Sequence, residues 1–139
     1  MTLKLTLKPG ESVCIGTTRL TVRSAATCTV LIDGDAPVMR AGDMLEEAHA
    51  SEPMARFRYV IQEIYLRGQS PERMDAYVDA AVGLIASRPD IAASVQRVNA
   101  LLRTGSVFEA VKFAKRLAKI GDVDGVALPA CPAPLALSA

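Results

Sequence analysis

The sequence predicts an α+β protein: a small N-terminal antiparallel β-module of about five short strands over residues 1–45, then a four-helix antiparallel bundle over residues 51–121. Three observations carry this reading. The opening stretch Leu3-Lys4-Leu5-Thr6-Leu7-Lys8 alternates apolar and polar residues, the pattern of a strand with one dry and one wet face. Turn residues then recur at short intervals as far as Pro37. Beyond Pro53, apolar residues return every three or four positions, as on a helix buried along one side.

After the first strand, Pro9-Gly10 marks a turn. Val13-Cys14-Ile15 follows as a short strand, and Gly16-Thr17-Thr18 turns the chain again. Arg19 to Arg23 alternates, with Leu20 and Val22 expected inward. Cys28-Thr29-Val30-Leu31-Ile32 is the run richest in β-branched residues and is expected as a central strand. Asp33-Gly34-Asp35 leads into a last short strand at Val38-Met39-Arg40. A sheet this small needs buried surface from elsewhere, either the helices or a second copy of the chain.

Residues 41–50 form an acidic connector with the only histidine, His49, read as a solvated residue. Ser51-Glu52-Pro53 is expected to start the first helix, with Ser51 as cap, and Met54, Phe57, Ile61, Ile64 and Tyr65 share one face. Ser70-Pro71-Glu72 opens the second in the same way, with Met74, Tyr77, Val78, Ala81, Leu84 and Ile85 as its stripe. Pro89 breaks the chain, and Ile91, Val95, Val98 and Leu102 face inward on a third helix that Gly105 ends. Ser106-Val107-Phe108-Glu109 is a capping box. It starts a fourth helix with Val107, Val111, Ala114, Leu117 and Ala118 inward and Gly121 at its end. Residues 122–139 are Ala-, Pro- and Leu-rich without periodicity, a composition expected to stay disordered.

The chain has 139 residues, half of them apolar, and a net charge of only +1, which argues against a generic nucleic-acid coat. Three cysteines, none in a CxxC spacing, make no disulfide framework. No apolar run approaches the ~20 residues of a membrane span, and no cationic-then-apolar signal opens the chain, so a cytoplasmic protein without membrane contact is expected. No Walker loop, GxSxG elbow or HExxH pair is present, and the DGD at residues 33–35 lacks the later ligands of a calcium loop. A non-enzyme without cofactor or metal follows.

Charge is instead gathered in patches. Lys4, Lys8, Arg19, Arg23 and Arg40, with the Thr6 hydroxyl, mark the wet side of the β-module. That pattern suits either edge-strand protection or a polyanion. The fourth helix presents Lys112, Lys115, Arg116 and Lys119, as the helix dipole favours near a C-terminus and as a phosphate surface would also require. Arg56 and Arg58, interleaved with Phe57 and Tyr59 on the first helix, suit RNA or a protein groove equally.

Four stretches carry a family likeness. Leu3-Lys-Leu-Thr-Leu-Lys-Pro-Gly-Glu11 resembles the opening of the FlbT family, regulators of flagellin expression in α-proteobacterial flagellar systems. Val38-Met-Arg-Ala-Gly-Asp-Met44, then Pro53-Met-Ala-Arg-Phe-Arg-Tyr59 with Tyr65-Leu66, resemble its middle, and Gly105-Ser-Val-Phe-Glu-Ala-Val-Lys112 with Arg116-Leu117 its last helix. A second, fainter likeness joins Gly10-Glu11, Ile15-Gly16, Ala36-Pro37, Val38 and Arg40 to the small RNA-binding regulator CsrA. In that family the first and last strands, drawn from both chains of a dimer, bind RNA at their edge. Thr6, Lys8 and Arg40 match binding positions, whereas Leu7 stands where that family has a basic residue. Whether such a homodimer persists beside a helical domain is left open.

The FlbT likeness implies a post-transcriptional regulator that binds the 5′ untranslated region of flagellin mRNA and represses it, promoting decay without being a nuclease. Its expected partner is the single-stranded flagellin leader. The rival reading is an adaptor or chaperone that grips flagellin or another flagellar regulatory or assembly protein through the helices.

Overall fold

Strands and helices do not interleave. The computed structural model describes residues 2–121, and the chain divides between Met44 and Leu45 into a β-unit and a helical unit. The β-unit runs β1 (Thr2–Leu7), β2 (Ser12–Ile15), β3 (Thr18–Thr21), β4 (Cys28–Asp33) and β5 (Val38–Arg40), and ends in a short 3-10 turn at Ala41–Asp43. The helical unit has a 3-10 turn at Glu47–His49 and then α1 (Pro53–Arg67) and α2 (Pro71–Ser87). A second such turn at Pro89–Ile91 leads into α3 (Ala92–Arg103) and α4 (Val107–Gly121). The α+β class read from the sequence is the one observed. Cys131 and the tail expected to be disordered lie outside the described residues.

The strands form two small antiparallel sheets, a β1–β4 ribbon and a three-stranded sheet ordered β3-β2-β5. In the ribbon, Leu3, Leu5 and Leu7 stand opposite Ile32, Val30 and Cys28, while Lys4 and Thr6 stand opposite Leu31 and Thr29 on the other face. Leu7 packs with Val13 and Val22, and Leu5, Cys28, Val30 and Val38 close around them, so the two sheets share one core. Burial fades along β1: Leu7 is fully enclosed, Leu5 half-buried and Leu3 exposed. The ribbon therefore projects past its core.

Two expectations change here. The run Cys28–Ile32, expected as a central strand, pairs with β1 alone, and its Leu31 is 64% exposed. Its β-branched residues reflect strand propensity rather than enclosure on both faces. Leu20, expected inward, is exposed on the edge strand β3, whereas Val22 is buried.

In the helical unit α1 packs on α2 and α4, and α3 closes the ring by packing on both of those. Phe57, Ile61, Ile64, Leu84, Val95 and Val98 fill the centre. Their removal from water is the main stabilising term, at ~25 cal/mol per Å² of apolar surface. Pro53 occupies the first helical position of α1, so the N-cap is Glu52 rather than Ser51. Ser70 caps α2 as expected, its hydroxyl accepting from the Arg73 N–H at 3.2 Å. Gly105, at φ +84°, ends α3. There the Ser106 N–H bonds the Leu101 carbonyl and the Gly105 N–H the Leu102 carbonyl, the paired closure that a left-handed residue allows. Val78, expected inward, is exposed, because Tyr77, Ala80, Ala81 and Leu84 form the buried line of α2. On α4 the fully buried Ala110, which carries little signal in the sequence, joins the expected Ala114 and Leu117.

Candidate nucleic-acid interface

The β-unit builds its charged surface around one turn. Lys8-Pro9-Gly10-Glu11 is a type II turn: Pro9 presets the first corner, and Gly10 takes the positive φ of +82° that the second requires. The Glu11 N–H bonds the Lys8 carbonyl at 3.0 Å, and the Glu11 carboxylate accepts the Lys8 N–H at 2.7 Å. Arg40, at the end of β5, reaches across to this turn. Its Nη1 donates to the Thr6 carbonyl at 3.2 Å and stands 3.9 Å from Glu11 Oε1. Val22 is clipped to the same turn by bonds to Gly10 and Glu11, which sets Arg23 directly beside it. Thr6, Lys8, Arg23 and Arg40 are thus gathered at one end of the β-unit.

The remaining cations stand apart. Lys4 sits on the outer face of the ribbon with Thr6, Thr29 and Leu31, and the Thr2 hydroxyl donates to Asp33 at its tip. Arg19 pairs with Cys14, and Cys14 with Met39, so Arg19 shares the Cys14–Met39 face of its sheet. Arg40 pairs with Val13 and shares the opposite face. No single wet face carries all five cations.

Glu11 is the participant that charge patterning alone does not reveal. It places one carboxylate among the gathered cations, and the signal for it is its position three residues after Lys8 across a Pro-Gly corner. The β-unit as a whole holds five Lys and Arg against four Asp and Glu, so any anion attraction is local to the turn.

On the helical unit, Arg56 stands 3.8 Å from Glu47 and 5.7 Å from the Tyr59 ring centroid. Burial, then Glu63 and Glu47, raise the Tyr59 pKa above its ordinary value. Arg58 lies two residues further along α1 and so leaves the helix on the other side. Lys112, Lys115, Arg116 and Lys119 all lie on α4, where Lys112 Nζ pairs with Glu109 at 3.4 Å. The structure also brings aromatic rings to these cations: Lys112 stands over Phe108, and Arg97 and Arg116 flank Phe113. Among the described residues no group of His, Cys, Asp and Glu side chains converges as metal ligands would, and no helix is long and apolar enough to cross a membrane.

The two units together define an α+β protein in which a small cation-bearing β-unit precedes a closed ring of four helices. The chain belongs to the FlbT family: the family described as flagellar protein FlbT matches residues 3–122. It is 31% identical over 119 residues to a protein named probable flagellum biosynthesis repressor protein FlbT from Rhodopseudomonas palustris strain TIE-1, which covers 86% of this chain and 94% of that protein. A protein of the same name from Rhizobium leguminosarum bv. trifolii is 25% identical over 124 residues, covering 87% of this chain and 82% of its own length. No solved structure matches the chain significantly.

Proposed function

We propose that this protein represses flagellum biogenesis by binding the single-stranded 5′ leader of flagellin mRNA with its β-unit. The bound message is left open to cellular nucleases while the protein itself cleaves nothing. The observation that carries this reading is the cation cluster at the Lys8–Glu11 turn, in a chain whose relatives are named flagellum biosynthesis repressors. Lys4, Lys8 and Arg23 supply the phosphate contacts and Arg19 a more distant one. Arg40 holds β1 to β5, and the Thr6 hydroxyl offers a hydrogen bond to a base or ribose. Each phosphate contact releases counterions and steepens the salt dependence of binding.

The test is a flagellin leader fused to a reporter, in cells lacking this protein and cells supplied with it. Lower output and a shorter message half-life, both abolished when the leader is replaced, support the reading. Equal repression of a leaderless fusion would remove the leader from the mechanism.

A second reading has its own observation. Val78 and Val82 are exposed on α2, and Val78 lines a groove of about 630 Å³ together with Met74, Tyr77, Gln96, Asn99 and Leu102. An adaptor that grips flagellin or a flagellar assembly protein would use this face. Under that reading, Val82→Glu relieves repression in the same reporter cells while leader binding is unchanged.

A further inference from the structure

We propose that α4 carries a stacking site for unpaired RNA bases, with Phe108 as the platform and Lys112, Lys115 and Lys119 as the line of phosphate contacts. This rests on the RNA-binding reading above and adds a surface that the β-unit does not supply. The sheets expose no aromatic ring, and the β-unit contains neither Phe, Tyr nor Trp.

The geometry begins with spacing. Positions 108, 112, 115 and 119 fall at steps of four, three and four along α4 and so lie along one stripe of its surface. The core side of the same helix is already supplied by Ala110, Ala114 and Leu117, with Val107 and Val111 packed against it. Phe108 adds nothing to that core and is 44% exposed, the one large exposed apolar side chain described on α4. It is nonetheless held in place. The Tyr65 ring of α1 lies 5.3 Å from it, centroid to centroid, at a tilt of 38°, and Lys112 Nζ stands 5.2 Å from its centroid.

The surrounding charge fits the same ligand. Four cations on α4 face a single acid, Glu109, and Arg97 of α3 joins Arg116 beside Phe113 at 5.9 and 5.8 Å. Cations in the last turn are favoured by the helix dipole whatever their task. That does not explain Lys112, which stands in the second turn, or an exposed ring beside it. A flat ring held open within a line of cations is what single-stranded nucleic acid uses: every base has a face to stack, and its phosphates follow the charges. A protein partner would instead need contiguous apolar area, and α4 offers one ring. Lys112 would exchange its place over Phe108 for a phosphate when a base arrives.

The test uses the full-length protein with a flagellin leader carrying 5-iodouridine, irradiated and mapped by mass spectrometry, together with titrations of polyuridine and of its duplex with polyadenine. Adducts at Phe108 or Tyr65 are expected. Phe108→Ala should weaken polyuridine binding roughly 5- to 150-fold, with Phe108→Tyr retaining it and duplex binding unchanged. Lys112→Gln should lower the log–log salt slope for the single strand by roughly 0.7. Phe108 is exposed, so the variants should melt with the wild type, and Phe108→Tyr guards against a folding artefact. Leader binding that survives Phe108→Ala with adducts confined to residues 2–44 overturns the site but leaves the RNA reading standing. No binding of the leader overturns both. Loss of a protein partner in Phe108→Ala, with RNA binding intact, assigns the stripe to that partner and overturns the proposal.

Discussion

The Arg40 guanidinium donates to the Thr6 carbonyl, fastening the end of the last strand to the first. β1 and β5 belong to different sheets, so this bond and the nearby Glu11 carboxylate join the two sheets at their rim, beside the shared Leu7–Val13 core. Arg40 is therefore first an anchor. Lys8, at the same turn, has its backbone N–H fixed by Glu11 and its side chain exposed.

The two residues should separate in a stability measurement. Arg40→Met keeps the aliphatic stem and removes the guanidinium, and should destabilise the β-unit by about 1 kcal/mol, a value discounted for partial exposure. Lys8→Met should stay within about 0.5 kcal/mol of wild type. Urea titrations followed on β-unit amide resonances read this directly, without assuming that both units unfold together.

Gln62 makes a second prediction. It is buried at 3% exposure on α1, and its amide both accepts from the Leu45 N–H at 2.8 Å and donates to the Leu45 carbonyl at 2.9 Å. Gln62→Ala should cost about 1–3 kcal/mol, because the cavity and the missing pair of bonds act together. Hydrogen exchange at the Leu45 amide should accelerate at least about tenfold, the ratio that ~1.4 kcal/mol of lost protection gives. Gln62→Glu keeps the acceptor but sets a carboxylate against a carbonyl, so it should be less stable at neutral pH than in mild acid.

Much of this architecture is legible in the residues. The alternation through Leu3–Leu7 marks β1, and Ser70 and Gly105 mark helix boundaries by chemistry that is local to them. Strand partners are not local. Nothing in the run Cys28–Ile32 says that it pairs with β1 and remains an edge, and the exposure of Leu31 follows from that pairing. Val78 looks inward by spacing from Met74, but the buried line of α2 runs through Tyr77, Ala80, Ala81 and Leu84. Small residues such as Ala110 give little hydrophobic signal, although they let helices approach closely. At the cation cluster, charge was readable and partnership was not: the sequence offers Lys4 to Arg40 as one set, and the fold distributes them over different faces with Glu11 among those at the turn.

Tyr77 gives a pH-dependent prediction. Burial pushes its pKa up to about 12, and its hydroxyl donates to Asn99 Oδ1. The folded state thus favours the neutral phenol more than the unfolded chain does, where the ordinary value is 10.0. Its contribution to stability is complete below the unfolded value and is lost as pH rises from there through the folded value. Stability measured across that alkaline window should fall less steeply in Tyr77→Phe than in wild type. An equal fall in both would show that Tyr77 is not the group responsible.

The most direct test of the central claim is a titration of a labelled flagellin leader with wild-type protein and with Lys4→Gln/Lys8→Gln, at two salt concentrations. This pair spares Arg40 and so removes two of the proposed phosphate contacts without loosening the anchor between the sheets. Saturable, leader-preferring binding is expected in the wild type, with a salt slope lower by roughly 1.4 in the double variant, about 0.7 for each single-strand phosphate that is no longer neutralised. Identical affinities and slopes, or equal binding to an unrelated RNA, would contradict a leader-reading β-unit.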